Sequence, residues 1–383
     1  MAHHQALILL SINNLVNDNI LQKRFMENPE IQAVDILLQE RMPRDMLITK
    51  DKKEKTKKIK YTGYDNYIEN SYTKVDTVLR KANITSSEDY MIYVDDRGQG
   101  FSKYKDILIN KYKETADTEQ GIIFYVKNTR TNTTWKANYA HEDKENSKYE
   151  VVFSEDKTKI TKSINDIETE VKIIAGESSG VEIRSIRIRN NSKAQENLEV
   201  ISTFEPCLSR KEDDIAHPAF NNLFLKYSKS ENGDLIIKRN KRGSSREMYL
   251  GCNLILENSE NQDLEYEIDR FYPLVKLKKS FKLNPGEDVT LNLIISISEQ
   301  LDTINENLSY YKIQENVRTE FETSRAKAEE EARYLSLSRD NLNMCQRLIP
   351  YVIYQNPMKA MYMGELLNRE FKQSDFWKYR NFW

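Results

Sequence analysis

A period-two alternation of apolar and polar side chains constrains this chain most, and it runs from about residue 73 to residue 300. Candidate strands carrying the alternation lie at 121–126, 149–153, 167–174, 181–189, 198–204, 223–227, 235–238, 249–256 and 289–297. Turn-forming residues separate several of them, at Asn190–Ser192, Glu231–Asp234 and Asn284–Glu287. Many short strands at near-regular spacing predict a large antiparallel β-sandwich. The alternation slips once, at Arg184–Ser185, which predicts a β-bulge there.

Both ends of the chain change to a helical period. Near the N-terminus Leu7, Leu10 and Leu15 begin an apolar face, and after residue 301 the good helix formers of 321–337 precede a second amphipathic stretch at 340–354. The fold class predicted is therefore mainly β, a large antiparallel sandwich with α-helical segments at both ends. Between the first helices and the sandwich, residues 46–72 are rich in lysine, which favours a solvated linker over a binding patch.

Composition excludes several classes of protein. The 383 residues carry 58 Lys and Arg against 60 Asp and Glu, a balance that argues against nucleic-acid binding. No run approaches the roughly 18 apolar residues of a membrane helix. Cys207, Cys252 and Cys345 have no metal or redox spacing, so we interpret them as core residues of a protein from a reduced, cytoplasmic compartment.

A glycine-bearing turn at Arg97–Ser102 is the first candidate binding site. Gly98 and Gly100 permit a close backbone approach to a ligand, and Arg97, Phe101 and Ser102 suit a hydroxylated sugar ring. The turn lacks the Gly-Lys-Ser/Thr ending of a phosphate loop. An ordinary hairpin is the alternative interpretation.

The second candidate is the segment 212–220, an apparent loop between strands that brings three acids together with His217. Asp214, His217 and Phe220 are its candidate ligand-contacting residues, and the acids with the histidine suggest acid–base chemistry. No Gly-flanked serine nucleophile accompanies them. The alternative is a structural loop in which His217 hydrogen-bonds to the backbone.

His3 and His4 form the remaining candidate, a metal pair at the N-terminus. Adjacent residues on a helix point in different directions, so they are poor joint ligands. We predict no metal site.

Several motifs, in order along the chain, resemble the cyclic β-1,2-glucan synthases and the inverting glycoside phosphorylases once called glycosyltransferase family thirty-six. They cover nearly the whole chain outside 46–75. The matching segments are Met1–Gln5, Leu37–Arg44, Arg97–Ser102, Val181–Arg184, Ala216–Phe220 and Gln373–Tyr379.

The resemblance implies an architecture. Residues 1–45 would be the last helices of a glucoamylase-like domain, 73–300 a galactose-mutarotase-like supersandwich, 301–340 a helical linker, and 341–383 the start of an (α/α)6 catalytic toroid. The implied reaction is inverting phosphorolysis, in which an Asp protonates the glycosidic oxygen and inorganic phosphate, the co-substrate, attacks the anomeric carbon. No other cofactor is implied.

Two departures from the family pattern shape the functional expectation. The family's Thr-Arg-Trp is Asn110-Lys111-Tyr112 here, which loses bidentate recognition by arginine. Residues 380–383 replace the family's Gly-x-Ser-Gly-Asp, so the resemblance places the catalytic Asp beyond the chain.

We therefore expect a fragment of a β-1,2-glucan-processing enzyme, inactive alone, that binds a β-glucan oligosaccharide through the two candidate segments. One alternative is an active enzyme completed by a separate downstream polypeptide that carries the toroid. Another is a stand-alone carbohydrate-binding or structural sandwich. The resemblance implies a parent synthase at the inner membrane.

Overall fold

The computed structural model describes eleven stretches of the chain, with only the backbone for 2–4 and 218–220. The stretches are 2–28, 31, 67–75, 81–112, 120–143, 145–216, 218–240, 247–259, 264–269, 273–335 and 338–353. The chain divides into two compact units, 1–63 and 64–383. The predictions made for 32–45 and for 354–383 lie outside the described residues.

The first unit contributes two helices, α1 (Ala2–Val16) and α2 (Ile20–Met26). Asn19, in the left-handed backbone region, separates them. The apolar side chains predicted to form a face on the first helix, among them Leu7, Leu10 and Leu15, are exposed.

The second unit is built of strands, with helices inserted once and appended at its end. The helices are α3 (Lys211–Ala216), α4 (Pro218–Leu223), α5 (Leu301–Tyr311), α6 (Gln314–Tyr334) and α7 (Arg339–Ile353). The first ten strands are β1 (Glu69–Tyr72), β2 (Ala82–Ser87), β3 (Tyr90–Asp95), β4 (Gly100–Tyr104), β5 (Ile107–Asn110), β6 (Ile123–Asn128), β7 (Thr133–Lys136), β8 (Ser147–Ser154), β9 (Thr158–Ile164) and β10 (Ile167–Ala175). The other nine are β11 (Val181–Asn190), β12 (Glu196–Phe204), β13 (Pro206–Ser209), β14 (Leu225–Lys229), β15 (Leu235–Arg239), β16 (Met248–Leu256), β17 (Glu265–Ile268), β18 (Val275–Leu283) and β19 (Asp288–Ser298).

The strands pair, all antiparallel, into three sheets within the described residues. A nine-stranded sheet has the order β1-β8-β9-β10-β11-β19-β16-β15-β14, and the two five-stranded sheets run β17-β18-β12-β6-β7 and β13-β5-β4-β3-β2. The main core lies between them, where inward-facing side chains such as Phe124, Val200, Ile186 and Leu293 are almost fully buried. The predicted fold class, a mainly β antiparallel sandwich with terminal helices, is confirmed.

Helix α5 covers the outer face of the nine-stranded sheet. Its Ile304, Leu308 and Tyr311 are buried in a second apolar cluster that includes Ile183 and Ile294 of the sheet. Gly251 of β16 permits this contact, because a Cβ atom there would lie 2.3 Å from Ile304 Cγ2. The sheet is thus buried on both faces where the helix crosses it.

That helix explains why the predicted bulge at Arg184–Ser185 was wrong. Strand β11 keeps one continuous register with both β10 and β19. Val181 and Ile183 are apolar because they face α5. On the opposite face, Glu182 and Arg184 form a buried ion pair. Because these charged residues stand where a buried face would be apolar, the alternation looks interrupted in the sequence. The apolar face changes sides along the strand while the backbone stays regular.

Two other predicted segments take a different local structure. Residues 69–72 lie inside the predicted linker, yet they form β1, which pairs with β8. In the segment predicted as a loop at 212–220, the residues up to Ala216 belong to α3 and those from Pro218 onward belong to α4. Acidic residues in the first turn of α3 favour a helix start, and Pro218 at the first position of α4 does the same.

Within the described stretches, none of the helices is both long and apolar enough to cross a bilayer.

Candidate functional site

The Arg97–Ser102 segment forms the tight connection between β3 and β4, and Asp95 organises it. The Asp95 Oδ1 atom accepts the backbone N–H groups of Arg97 and Gln99, both at 2.9 Å. Gly98 has a φ of +74°, and its carbonyl accepts a hydrogen bond from the Asn138 side-chain amide. The turn is therefore fixed from inside the protein.

The two glycines of this turn are favoured for different reasons, Gly98 mainly by its positive φ and Gly100 by close packing against backbone. A Cβ atom at Gly98 would lie 2.7 Å from Ile160 Cδ1, and one at Gly100 would lie 1.8 Å from the Tyr93 carbonyl oxygen. Backbone atoms, unlike the end of a flexible side chain, cannot move aside at low cost. Gly100 is therefore needed for the β3–β4 pairing itself.

Phe101 and Ser102, the aromatic and the hydroxyl of the first candidate site, are buried. The Phe101 ring is 4% exposed and stacks on Tyr93, with ring centroids 5.3 Å apart. Ser102 is fully buried, and its backbone N–H donates to Asn110 Oδ1 at 3.0 Å. These two side chains are held inside the molecule rather than presented at its surface.

Asp214, the acid of the second candidate site, is buried on α3 within a polar network. Its Oδ1 accepts a hydrogen bond from Asn221 Nδ2 at 3.0 Å and lies 4.0 Å from Lys111 Nζ. Asn221 also donates to the Cys207 carbonyl at 3.0 Å and accepts from the Arg239 guanidinium. His217 lies outside the described residues, and Phe220 is described only as backbone within α4.

The dipeptide Asn110-Lys111 connects the two candidate segments, which are far apart in sequence. The Asn110 side-chain amide donates to the Gly100 carbonyl at 3.1 Å. The neighbouring Lys111 ammonium lies 2.7 Å from Glu205 Oε1, besides its contact with Asp214. The glycine turn thus contacts Asn110, and helix α3 contacts the neighbouring Lys111.

Lys111 lines a cavity of about 600 Å³, which we call the Lys111 cavity. It opens beside β6, β12 and β18 of one five-stranded sheet. Its wall combines three charged side chains with an amide, hydroxyls and apolar groups: Lys111, Gln120, Gly121, Ile123, Tyr125, Thr134, Ile201, Thr203, Phe204, Glu205, Leu274 and Lys276. Such a mixture suits a ligand with many hydroxyl groups and an apolar ring face.

The glycine turn supports this cavity from behind. The Gly100 N–H donates to the Gln120 carbonyl at 3.3 Å. A Cβ atom at Gly121 would lie 3.0 Å from the Gly100 nitrogen, so the two chains are in close contact. Of the eight candidate residues, none of those with a described side chain lines the cavity. Gly100 and Asp214 contact residues that do line it.

Burial sets the protonation of groups around the cavity. It raises the pKa of Tyr125, and Glu142 adds to the effect, so the phenol remains a hydroxyl that can donate and accept hydrogen bonds. Burial also raises the pKa of Cys207 to about 11, with Asp214 adding to it, so this thiol stays protonated and unreactive.

Behind the glycine turn, Asp96 is a fully buried carboxyl group. Burial raises its pKa to about 7, and the charge of Asp95 adds to the effect. The Lys81 backbone N–H donates to Asp96 Oδ2 at 3.3 Å and partly opposes the shift. The Tyr149 hydroxyl donates to the Asp96 carbonyl at 2.9 Å, which ties the turn to β8.

No group of three or more His, Cys, Asp or Glu side chains in the described ranges could hold a metal ion.

Sequence reasoning missed most of the cavity wall. Lys111 was visible only as a departure from the family pattern, and Glu205, Tyr125 and Thr203 carried no signal. They belong to strands or strand ends whose side chains converge only after the sheet has formed. The sequence predicted the glycine turn and the acidic segment as ligand contacts, and this stays a prediction; the side chains described there lie behind the cavity wall.

The paired sheets and the helix-covered outer face define a β-supersandwich. The family model of the glycosyl hydrolase 94 supersandwich domain matches residues 65–272, more than half of the chain. The chain belongs to this family. The resemblance to cyclic β-1,2-glucan synthases and inverting glycoside phosphorylases is thereby confirmed.

Among curated proteins, the chain is similar to the cyclic β-(1,2)-glucan synthase NdvB of Rhizobium meliloti (strain 1021). The two are 25% identical over 275 residues, which is 70% of this chain and 10% of the synthase. The chain thus spans about a tenth of the length of this relative.

Among solved structures, the chain is similar to a putative kojibiose phosphorylase from the human microbiome. That match has 10% identity and a TM-score of 0.42, and it covers 70% of this chain and 38% of the other. A galactose mutarotase-like protein from Clostridium acetobutylicum is 12% identical with a TM-score of 0.36, covering 60% of this chain and 98% of the other.

Proposed function

We propose that the supersandwich binds a β-1,2-glucan oligosaccharide in the Lys111 cavity, as the glycan-binding part of a cyclic β-1,2-glucan synthase-like enzyme. The observation that carries the proposal is the cavity itself, about 600 Å³ in volume and lined by hydroxyl, amide and aromatic groups. Ligand sites of small molecules fall in the range of roughly 300–1,000 Å³. The family membership supports a glucan as the ligand.

The hydrogen-bonding groups of the cavity suit a ligand with many hydroxyl groups. Lys111 is already neutralised by Glu205 at 2.7 Å. The Tyr125 and Thr203 hydroxyls can each donate and accept, as sugar hydroxyls also do. We propose that Tyr125 packs against a sugar ring while Lys276 and Gln120 contact its hydroxyls.

The cavity is better suited to binding than to catalysis. In the phosphorolysis that the family resemblance implies, one carboxyl group protonates the glycosidic oxygen, and phosphate takes the place of the second carboxylate of the usual scheme. Among the residues that line this cavity, Glu205 is the one carboxylate, and Lys111 holds it in an ion pair. We therefore propose that the phosphorolysis of the family, with inorganic phosphate as co-substrate, is carried out by residues outside the supersandwich.

The sequence-based site residues receive roles in this proposal. Gly100 and Ser102 hold Asn110 through backbone hydrogen bonds, Gly98 and Phe101 fix the turn against Asn138 and Tyr93, and Asp214 positions the Lys111 ammonium. These are supporting roles behind the wall. Arg97, His217 and Phe220 stay predictions as sugar contacts.

Calorimetric titration with β-1,2-glucan oligosaccharides tests the proposal. Lys276→Gln, which removes a charged donor from the cavity, should weaken binding about 10-fold, since a hydrogen bond to a charged group is worth ~1.5–3 kcal/mol. Lys282→Gln is the matched control, on the same strand and face but outside the cavity wall. Equal affinity of both variants and the parent chain would place the glycan elsewhere.

A further inference from the structure

A second cavity, of about 560 Å³, lies between helix α7 and strands β1 and β2, and we call it the α7 cavity. It shares no lining residue with the Lys111 cavity. One wall is polar and the other apolar. The polar wall carries Asn70, Lys81, Asp340, Asn343, Gln346 and Arg347.

Amide groups fix the polar wall in place. The Asn70 side-chain amide on β1 donates to Asn343 Oδ1 at 3.0 Å and to Gln346 Oε1 at 2.7 Å, both on α7. Leu342 of the same helix is buried with Ile68 and Ala332. The helix and the strand are therefore held together by hydrogen bonds and apolar packing.

One hydrogen-bond donor of this amide cluster is unpaired among the described residues. Gln346 Nε2 is buried and has no hydrogen-bond partner among the residues described. Leaving a buried donor unpaired costs free energy. An oxygen atom of a ligand in the cavity can accept this hydrogen bond.

Two cations flank Tyr72 at the cavity wall. The Lys81 ammonium lies 4.3 Å from the centre of the Tyr72 ring. Burial raises the pKa of Tyr72 and the Asp96 carboxylate adds to the effect, while the charge of Arg347 and a hydrogen bond with it act in the opposite direction. Both positive groups therefore face the same part of the wall.

These cations form no close ion pair among the described residues, and the carboxyl group that interacts with Lys81 at longer range is that of Asp96. In the described part of the chain neither Lys81 nor Arg347 has a carboxylate oxygen within 4.0 Å of its charged nitrogens. Asp340 is the one carboxylate of the cavity wall, and it pairs with neither. Asp96 accepts the backbone N–H of Lys81 rather than its ammonium. The wall therefore carries a net positive charge.

We propose that the α7 cavity binds a sugar that carries an anionic group, a hexose phosphate in chemical class. Lys81 and Arg347 contact the phosphate, and charge-assisted hydrogen bonds of this kind are the strong ones. The amides of Asn343 and Gln346 contact ring hydroxyls, and Tyr351 packs against the ring. This site is independent of the glycan site proposed above.

The test is calorimetric titration of the full chain with a hexose 6-phosphate, the unphosphorylated hexose and inorganic phosphate. The hexose phosphate should bind most tightly of the three, and its affinity should fall as salt is raised. Arg347→Gln, at an exposed helix position, should weaken it about 10-fold, as should Lys81→Gln. Lys193→Gln, in an exposed turn, should leave it unchanged.

Three results would overturn the proposal. Absence of hexose phosphate binding is the first, and equal affinity for the unphosphorylated hexose is the second, because the cations would then play no part. The third is a loss of hexose phosphate binding in Lys276→Gln, which would place the ligand in the Lys111 cavity. Asn343→Ala, which keeps both cations, should weaken the hexose and its phosphate by the same factor. Thermal unfolding of each variant verifies that it is folded.

Discussion

The ammonium group of Lys111 lies 2.7 Å from the carboxylate of Glu205, at the point where the glycine turn, helix α3 and the cavity meet. The lysine side chain is 7% exposed and the glutamate 38%. A buried cation is thus neutralised by a partner that still reaches solvent in the cavity. This ion pair therefore stabilises the cavity wall and also sets the charge of its surface.

Replacing Lys111 with methionine should destabilise the protein by about 1–3 kcal/mol. The change removes a charged hydrogen bond and leaves Asp214 buried without its cation. Urea unfolding measures the difference. Lys105→Met is the control, because its ion pair with Asp89 is exposed and should contribute less than about 1 kcal/mol. Equal effects of the two substitutions would contradict a structural role for Lys111.

Gly100→Ala should destabilise the protein by about 3 kcal/mol or more, or prevent folding, because the methyl group would meet the Tyr93 carbonyl. Gly286→Ala provides the comparison. It has a positive φ of +80° but open space around the Cβ position, so strain alone should cost roughly 1 kcal/mol. Thermal unfolding ranks the two, and a milder effect at Gly100 would show that the β3–β4 contact is looser than described.

Stability should fall with rising pH between about 4 and 7 through Asp96. Its pKa is raised from 3.8 to about 7 in the folded protein. Below this window the carboxyl is protonated in both states. Within it the unfolded chain loses the proton first, which favours unfolding, and above it the penalty is constant.

Asp96→Asn removes this penalty. The variant should gain about 2 kcal/mol or more relative to the parent protein between pH 4.5 and pH 8. Urea unfolding of the variant and of the parent protein is measured at both pH values, and the variant-minus-parent difference is compared between them. The similar pH-dependent contribution of Glu155 cancels because both proteins contain it. A difference that does not change with pH would show that Asp96 titrates normally.

The purified chain should release no glucose 1-phosphate from β-1,2-glucan oligosaccharides and inorganic phosphate. The reaction needs a carboxyl group that is free to protonate the glycosidic oxygen, and Glu205, the one carboxylate that lines the Lys111 cavity, is held in an ion pair with Lys111. A coupled assay for glucose 1-phosphate measures this directly. Release that Glu205→Gln abolishes would assign catalysis to this cavity and contradict a binding role.

Much of the fold could be predicted because one face of most strands is buried. Strands such as β10 and β16 therefore show apolar runs or alternation that sequence inspection detects. Strand β2 was not detected because its buried positions hold polar residues such as Asn83 and Thr85, and the Asn83 amide finds its hydrogen-bond partners inside the protein. The pattern of β11 was misread because α5 adds a second apolar face, and nothing in the β11 sequence shows that this helix covers it.

The candidate site was predictable only in part, for a related reason. Gly98 and Gly100 stand out in the sequence because few residues can occupy such turns. Whether a turn faces a ligand or the core depends on neighbours such as Asn138 and Gln120, which are distant in sequence. The cavity wall comes from five separate strands or strand ends, so its composition appears only after folding.

Hydrogen–deuterium exchange in the presence of a β-1,2-glucan oligosaccharide tests the central claim most directly. Binding in the Lys111 cavity predicts slower exchange of the amides at 120–125, 201–205 and 274–276, with 69–72 and 339–351 unchanged. Protection confined to the latter segments, or absent from all of them, would contradict the assignment of the glycan to the Lys111 cavity.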